Sequence, residues 1–271
     1  MTRLTGLTCL VTGSTGIAAT AAHRFAAEGA RVFVTSRTPD HVAALVESLA
    51  ASGAEAAGRP ADVTVEAEVE AAVSACADRF GRIDGLLSVA GGGGRRYGDG
   101  PIDRMTAEAW DRTLELNLRS QALVAGAVVR RMLDQAVSGA GSRGSVVLVS
   151  STLAFAPAPP YFETHAYAAA KGGIISLARS MAASYATRGI RVNVLAPAVT
   201  DTSMAERASG DPEITTYLRH KQPLTGGLLS PDDVASAAVF LLADESRAVT
   251  GQVLAIDGGW SVTSVGPEAV R

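Results

Sequence analysis

Short apolar runs alternate with longer amphipathic segments along most of the chain. Short runs rich in β-branched residues are typical of buried strands, whereas apolar positions that recur every three to four residues are typical of helices. The runs predict strands over residues 7–12, 31–36, 54–61, 83–90, 145–150, 190–195 and 253–256. The helical pattern predicts helices over residues 16–28, 40–51, 65–80, 165–187 and 231–243, and two more within 107–135.

Continuous apolar strands separated by helices indicate a mostly parallel sheet with helices on both faces. The predicted fold class is therefore α/β, with seven strands in one doubly wound sheet. No linker, repeat or low-complexity stretch divides the chain, so residues 1–271 are predicted to form a single domain. In such sheets the ligand binds beyond the carboxyl ends of the strands.

Composition narrows the possible functions. The chain has 271 residues, of which 47% are hydrophobic, and its net charge is −3. A negative net charge does not favour binding to nucleic acid or to an anionic membrane. No apolar stretch approaches the ~18 residues of a membrane span. Cys9 and Cys76 stand alone in apolar surroundings, which favours reduced thiols and a cytoplasmic protein. The four histidines show no ligand spacing, so no metal site is predicted.

Tyr167 and Lys171 carry the strongest chemical signal. They are four residues apart, separated by three alanines, and residues at this spacing share one face of a helix. A nearby ammonium is expected to lower the pKa of a phenol from about 10, so that it can exchange a proton near neutral pH. The chain has only two lysines, Lys171 and Lys221. The alternative interpretation is a half-buried tyrosine beside a solvated lysine.

A glycine-containing turn follows the first predicted strand, and Ser150-Ser151 ends the fifth. The turn runs Thr12-Gly13-Ser14-Thr15-Gly16-Ile17-Ala18. Glycines let backbone N–H groups approach a pyrophosphate at a helix N-terminus, although many strand–helix turns contain two glycines.

Taken together, these residues resemble the short-chain dehydrogenase/reductase family over almost the whole chain. Asn117, Ser151 and the Tyr167–Lys171 pair match the family's asparagine, serine and Y-x-x-x-K. Pro197, Thr202 and Asp257-Gly258-Gly259 also match family positions. The resemblance implies a Rossmann-type fold and an oxidoreductase that uses a nicotinamide cofactor.

The chain departs from the family pattern at several positions. The glycine turn is one residue shorter, and Ala18 replaces its last glycine. Ser88-Val89-Ala90-Gly91 stands where the family has N-N-A-G, and Ala198 replaces the glycine after Pro197.

The resemblance also implies roles. Tyr167 is the general acid/base, Ser151 binds the substrate oxygen, and Asn117 holds a water that relays protons to Lys171. Ser150 is the alternative to Ser151. The alternative for Asn117 is a polar residue that makes a helix kink or cap. Lys171 also holds the nicotinamide ribose. The cofactor-binding residues expected on this basis are Gly13, Ser14, Thr15, Gly16, Ile17, Ala90, Gly91, Tyr167, Lys171, Pro197, Val199 and Thr202.

The end of the second strand bears on cofactor choice. NAD(H) usually meets an acidic residue there, but this chain has Ser36, Arg37 and Thr38, which can bind the 2′-phosphate of NADP(H). NADP(H) is therefore predicted and NAD(H) is less favoured, with an ordinary surface arginine as the alternative. Asp62 and Val63 resemble the pair that contacts adenine, and a simple turn is the alternative.

The expected reaction is hydride transfer between NADP(H) and a carbonyl or secondary alcohol. An apolar loop suggests an apolar or ring-bearing substrate, although packing of that loop into the core is equally consistent; it contains Leu153, Phe155, Pro157, Pro159, Tyr161 and Phe162. Residues 198–229 are predicted to be a substrate lid, with Met204 and Tyr217 as possible pocket residues. Arg95 and Arg96 could meet a substrate anion, but a solvated loop is favoured.

Two further interpretations stay open. The shortened turn favours a binding or sensor protein that has lost turnover, and the fold also permits dehydration or epimerisation. The resemblance implies a homo-oligomer, a tetramer or dimer with two-fold interfaces. Residues 261–271 are expected either to be a disordered tail or to cover a neighbouring subunit's site.

Overall fold

The computed structural model describes residues 2–138 and 141–264, so most of the segment 261–271 lies outside the described residues. Its strands form a seven-stranded sheet in the order β3-β2-β1-β4-β5-β6-β7, and every described pair is parallel. The strands are β1 (Thr8–Thr12), β2 (Arg31–Ser36), β3 (Ala56–Pro60), β4 (Gly85–Ser88), β5 (Gly144–Val149), β6 (Ile190–Pro197) and β7 (Val253–Ile256).

Helices cover both faces of this sheet. They are α1 (Gly16–Ala27), α2 (Pro39–Ala51), α3 (Glu66–Phe80), α4 (Ala107–Leu114), α5 (Ser120–Asp134), α6 (His165–Tyr185), α7 (Glu206–Ser209), α8 (Pro212–Lys221) and α9 (Pro231–Leu242). The apolar residues of α1, α2 and α9 pack against one face, and those of α3, α5 and α6 against the other. The predicted doubly wound α/β fold with seven strands is confirmed.

The joint between α4 and α5 differs from a plain break between two helices. Residues Glu115–Arg119 form a π-helical turn, so the helical path continues from Ala107 to Asp134 with one locally widened turn. Such turns are rare and are often found at functional sites. The turn contains Asn117, which becomes important below.

The segment 198–229 contains more structure than a polar loop. A 3-10 turn at Ser203–Ala205 precedes α7 and α8, and these helices pack with Trp260 and the loop after β5 in a third apolar cluster. Tyr217 lies inside this cluster, with its ring centre 4.9 Å from Tyr161 and 6.1 Å from Trp260. Most of its ring surface is therefore buried in packing, and its role as a pocket residue stays a prediction. Met204 is 62% exposed.

The two ends of this segment are held together at a neck. A parallel bridge joins Thr200 to Leu229, and the N–H of Leu229 donates to the Val199 carbonyl over 3.0 Å. Gln222 is fully buried and closes the neck, since its side chain accepts from the N–H of Val199 and donates to the carbonyls of Val199 and Gly227. The segment is therefore an insert with paired ends.

None of the helices in the described residues combines the length and apolarity needed to cross a bilayer.

Candidate active site

The carboxyl ends of β1, β4, β5 and β6 are neighbours in the sheet, which brings the loops after these strands together. The hydroxyl of Thr12, at the end of β1, accepts hydrogen bonds of 3.0 Å from the N–H groups of both Val89 and Ala90. This contact fixes the chain immediately after β4 against the glycine turn after β1. The predicted residues around both turns therefore share one edge of the sheet.

Lys171 is held at this edge by reciprocal hydrogen bonds between β5 and α6. Its Nζ donates to the carbonyl of Val149 over 2.9 Å, and the hydroxyl of Ser150 donates to the Lys171 carbonyl over 2.7 Å. The buried amide of Gln121 donates to the same Val149 carbonyl. Lys171 is only 3% exposed, and this burial lowers its pKa to about 7.

The two candidate serines have different partners. The Ser150 hydroxyl donates to the backbone of α6, whereas the Ser151 hydroxyl accepts from the N–H of Leu153 and lies near enough to the Tyr167 side chain to lower its pKa. Ser151 is thus the serine beside the tyrosine. This arrangement favours Ser151 over Ser150 for the role of binding a substrate oxygen.

Tyr167 lies one helical turn before Lys171, as the four-residue spacing predicts. The Lys171 Nζ is 5.4 Å from the centre of the Tyr167 ring. Burial raises the pKa of Tyr167 to about 12, and the hydrogen bond from Ser151 offsets this only in part. The prediction of a lowered Tyr167 pKa was therefore wrong for this structure, because sequence spacing gives proximity to a cation but not the cost of burying a phenolate.

Asn117 is fully buried in the π-helical turn and binds the loop after β4. Its amide donates to the carbonyls of Gly92 and Thr113 at 2.9 and 3.0 Å, and its oxygen accepts from the Gly92 N–H. A Cβ on Gly91 would come within 2.8 Å of that oxygen, so glycine permits the close approach. The Asn117 side chain thus acts as a polar residue at an irregular turn of a helix, which is the alternative named above. Its role in a water relay stays a prediction.

The turn after β1 needs glycine at two positions, despite being one residue shorter than the family pattern. Gly13 and Gly16 have φ of +104° and +53°, in the left-handed region that favours glycine. A Cβ on Gly16 would lie 2.8 Å from the Thr202 methyl, so Thr202 closes over this turn. A Cβ on Gly13 would lie 2.9 Å from that of Ala18, which is buried beneath it.

The start of α1 also fits an anion. Its first helical residue is Gly16, preceded by Thr15, whose side chain makes no capping hydrogen bond within the described residues. The first N–H groups of a helix need partners and carry a partial positive charge. Ser14 is buried within the turn, and Ile17 packs partly against the core. The residues present therefore fit a pyrophosphate group.

The end of β2 presents the residues expected to select the cofactor. Arg37 and Thr38 are exposed, and Ser36 is partly so. The Asp62 carboxylate accepts from the N–H and the hydroxyl of Thr64, so it forms a turn, and its contact with adenine stays a prediction. Burial raises the pKa of Asp62, but these bonds and the charge of Arg37 outweigh it and lower the pKa overall.

The chain after β6 reaches the site from the other side. Pro197 is the last residue of β6 and pairs with Ile256 of β7. Val199 follows, but Gln222 engages both its N–H and its carbonyl, so its backbone groups are already satisfied. Thr202 is the residue of this stretch that touches the glycine turn.

Val63, which follows Asp62, is buried and packs into the core.

Sequence reasoning missed Asp99. This carboxylate is 4% exposed, and its two oxygens accept the N–H groups of Ala166 and Tyr167, each over 3.0 Å. It thus caps α6 from a distant loop, while Thr164, the residue before the helix, makes no side-chain cap. No local pattern could reveal it, since 67 and 68 positions separate Asp99 from its partners. Asp99 fixes the backbone that carries Tyr167.

Comparison with known proteins agrees with this geometry. A family model described as enoyl-(acyl carrier protein) reductase, one of the short-chain dehydrogenase/reductase models, matches residues 11–261. The chain belongs to the short-chain dehydrogenase/reductase family. D-threitol dehydrogenase of Mycolicibacterium smegmatis is 34% identical over 262 residues, covering 96% of this chain and 95% of that relative.

Solved structures of the family match equally well. A short-chain type dehydrogenase/reductase from Mycobacterium ulcerans has a TM-score of 0.87 and 31% identity, covering 96% of this chain and 92% of that one. A gluconate 5-dehydrogenase from Burkholderia cenocepacia J2315, in complex with NADP and tartrate, has a TM-score of 0.87 and 31% identity, covering 97% and 98%. The family is one of oxidoreductases that use a nicotinamide cofactor.

Replacing Asp99 by Ala should loosen the start of α6. Two buried N–H groups would lose a charged acceptor, so we expect a loss of about 2–4 kcal/mol in the free energy of unfolding, and faster amide exchange at Ala166 and Tyr167. Urea unfolding and hydrogen exchange measure these effects. Asp103→Ala, an exposed acidic residue of the same loop region, is the control and should cost under about 0.5 kcal/mol. Equal effects at both positions would contradict the capping role.

The lowered pKa of Lys171 gives a pH-dependent stability. Unfolded chains keep this lysine protonated up to about pH 10, whereas the folded protein releases the proton near pH 7, so the unfolded state binds more protons in between. Stability relative to Lys171→Met should therefore rise by about 2 kcal/mol from pH 7 to pH 9. Urea unfolding of both proteins at each pH measures it. A difference that stays constant or falls would contradict the burial of this cation.

Proposed function

We propose that this chain is an NADP(H)-dependent oxidoreductase acting on a carbonyl or secondary alcohol, with Tyr167 as the general acid/base. The supporting observation is the tyrosine's position between the Ser151 hydroxyl and the buried Lys171 amine, at the carboxyl edge of a parallel sheet. When bound, NADP(H) supplies or accepts the hydride, and the chain's own residues handle the proton and the orientation.

The proton chemistry follows from the two pKa shifts. With its pKa raised, Tyr167 is protonated at neutral pH and can donate to a carbonyl oxygen as charge develops there. Lys171 titrates near neutral pH and stabilises the phenolate when protonated. The Ser151 hydroxyl donates to the same substrate oxygen and stabilises its developing charge. In the oxidative direction Tyr167 takes the proton back. Asn117 is proposed to hold a water that connects Lys171 to solvent.

Cofactor binding is proposed to use the residues named from the sequence. The turn from Gly13 to Ile17 takes the pyrophosphate, and Ser36, Arg37 and Thr38 bind the 2′-phosphate. Asp62 and Val63 border the adenine. The nicotinamide end is assigned to Ala90, Gly91, Tyr167, Lys171, Pro197, Val199 and Thr202. The similar gluconate 5-dehydrogenase solved with NADP supports the choice of NADP(H).

The substrate is proposed to be apolar or ring-bearing and covered by residues 198–229 as a lid. Support comes from the apolar cluster that joins this segment to the loop before Tyr167. Phe155 and Met204 are exposed apolar side chains on these two segments and can contact a substrate. The segment is proposed to belong to a single domain spanning residues 1–271.

A cytoplasmic homo-oligomer, a tetramer or dimer, is also proposed. The family resemblance supports the assembly, and the two buried free thiols, Cys9 and Cys76, support a reducing compartment. Burial raises the pKa of the Cys76 thiol to about 12, which keeps it unreactive.

Arg37→Met should reduce NADPH affinity about 10- to 100-fold and leave NADH affinity almost unchanged, because only NADPH offers a 2′-phosphate. Fluorescence titration of the purified protein with each cofactor measures this. Arg79→Met, which removes an arginine that lies over the Phe80 ring, is the control. Equal affinity of the unmodified protein for NADPH and NADH would contradict the cofactor assignment, and no binding of either would favour the sensor interpretation.

Tyr167→Phe should lower kcat by about 100- to 10 000-fold and leave NADPH affinity nearly unchanged, because it removes the proton donor but keeps the ring. A panel of ketones and secondary alcohols, followed by NADPH absorbance, first identifies a turned-over substrate. Tyr185→Phe on the same helix is the control and should retain full activity. Retained turnover in Tyr167→Phe would overturn the assignment, and NADPH binding without turnover across the panel would favour a binding protein.

A further inference from the structure

Three loops that border the carboxyl edge of the sheet meet at a single atom, the backbone oxygen of Tyr161. Arg95 reaches it from the segment after β4 over 3.1 Å, and Arg207 reaches it from α7 of the proposed lid over 2.9 Å. Tyr161 itself belongs to the loop between Ser151 and Tyr167. Two guanidinium groups thus share one neutral acceptor.

This pair of arginines lacks a carboxylate partner at close range. Among the described residues, no carboxylate oxygen lies within 4.0 Å of the charged nitrogens of Arg95 or Arg207. Glu163 and Asp99 act on Arg95 only at longer range, and both oxygens of Asp99 already accept backbone N–H groups. The pKa of Arg95 is lowered by partial loss of solvent around its guanidinium and then by the charge of Arg207, which means that the two cations repel each other.

The acceptor between them is fixed in place. The Tyr161 hydroxyl donates to Glu213 over 2.6 Å, and its ring packs on Tyr217. The Arg207 guanidinium lies 5.5 Å from the centre of the Phe162 ring, which orients its plane. Each guanidinium has five N–H donors, and each uses one in a described hydrogen bond. Both side chains are exposed, so the other donors can be reached from solvent.

The pair is also connected to the start of α6, which carries Tyr167, through a short chain of contacts. A Cβ on Gly94, the neighbour of Arg95, would lie 2.8 Å from an Asp99 oxygen, and Asp99 binds the N–H of Tyr167. Arg95 therefore stands on the same loop that caps the catalytic helix. Arg95 and Arg207 thus join the loop that caps α6, the loop that leads into α6 and the proposed lid.

We infer that Arg95 and Arg207 form a subsite for an oxyanion carried by the substrate, a carboxylate or a phosphate ester, located away from the reacting carbonyl. Two guanidiniums offer planar paired donors that match either group. An anion would also relieve their mutual repulsion. This inference rests on the proposed function for its view of the substrate, but the binding itself can be measured without turnover.

The experiment measures binding of unreactive probes to the full chain in the presence of NADP+ by calorimetry. The probes are cyclohexanecarboxylate, cyclohexyl phosphate and the neutral cyclohexanecarboxamide. We expect at least one anion to bind about 10-fold or more tightly than the amide, and this preference to disappear in Arg95→Met and Arg207→Met. The tighter of the two anions identifies the group. Glu163→Gln should strengthen anion binding, since it removes a competing charge.

Arg96→Met is the matched control, because Arg96 is the neighbouring arginine but lies over the Tyr97 ring instead. It should leave the anion preference intact. Equal affinity for the anions and the amide would overturn the subsite. An equal loss of affinity for all three probes in the Arg95 and Arg207 variants would also overturn the subsite. That result would mean that the arginines stabilise the lid and do not bind an anion.

The result also separates this inference from the proposed function. Turnover of neutral ketones with no anion preference would keep the oxidoreductase and remove the subsite. Anion binding that depends on both arginines, with no turnover across the panel, would keep the subsite and remove the proposed reaction.

Discussion

The candidate site depends on burying one ammonium group against the end of a strand. Lys171 has almost no solvent contact, and its Nζ donates to the carbonyl of Val149, the last residue of β5. Ser150 returns a hydrogen bond to the Lys171 carbonyl, so strand and helix hold each other in register. Tyr167 is carried on the same helix and takes its position from that register. The electrostatics of the site follow from this packing, because burial moves the pKa of both side chains.

The loops around Lys171 and Tyr167 are hydrogen-bonded to one another as well as to the sheet. Asn117, in the π-helical turn, hydrogen-bonds the loop after β4. Asp99, from the same loop, accepts hydrogen bonds from the first N–H groups of α6. Tyr161, from the loop after β5, binds the proposed lid through Glu213. Displacing one loop would therefore disturb hydrogen bonds in its neighbours. Such cross-links are how a fold with its ligand beyond the strand ends keeps reacting groups in order.

Much of the architecture was predictable, because it rests on short-range patterns. Apolar runs and helical periodicity located all seven strands and the long helices, and the Y-x-x-x-K spacing placed Tyr167 and Lys171 together. α7 and α8 were missed because they are short and polar, and they are stabilised by Trp260, which lies about 40 to 55 residues further along the chain. Asp99 was missed because its partners are backbone groups of a distant helix. The sign of the Tyr167 pKa shift was wrong because periodicity carries no measure of desolvation.

The neck of the 198–229 segment has a consequence for how this chain can diversify. Gln222 and the Thr200–Leu229 bridge close the segment at its base, and the interior packs on Trp260 and the loop after β5. Insertions or deletions inside a loop with closed ends change the closure entropy only slightly. The length of the segment can therefore change at small entropic cost, provided that the residues packed on Trp260 are kept and the neck stays closed.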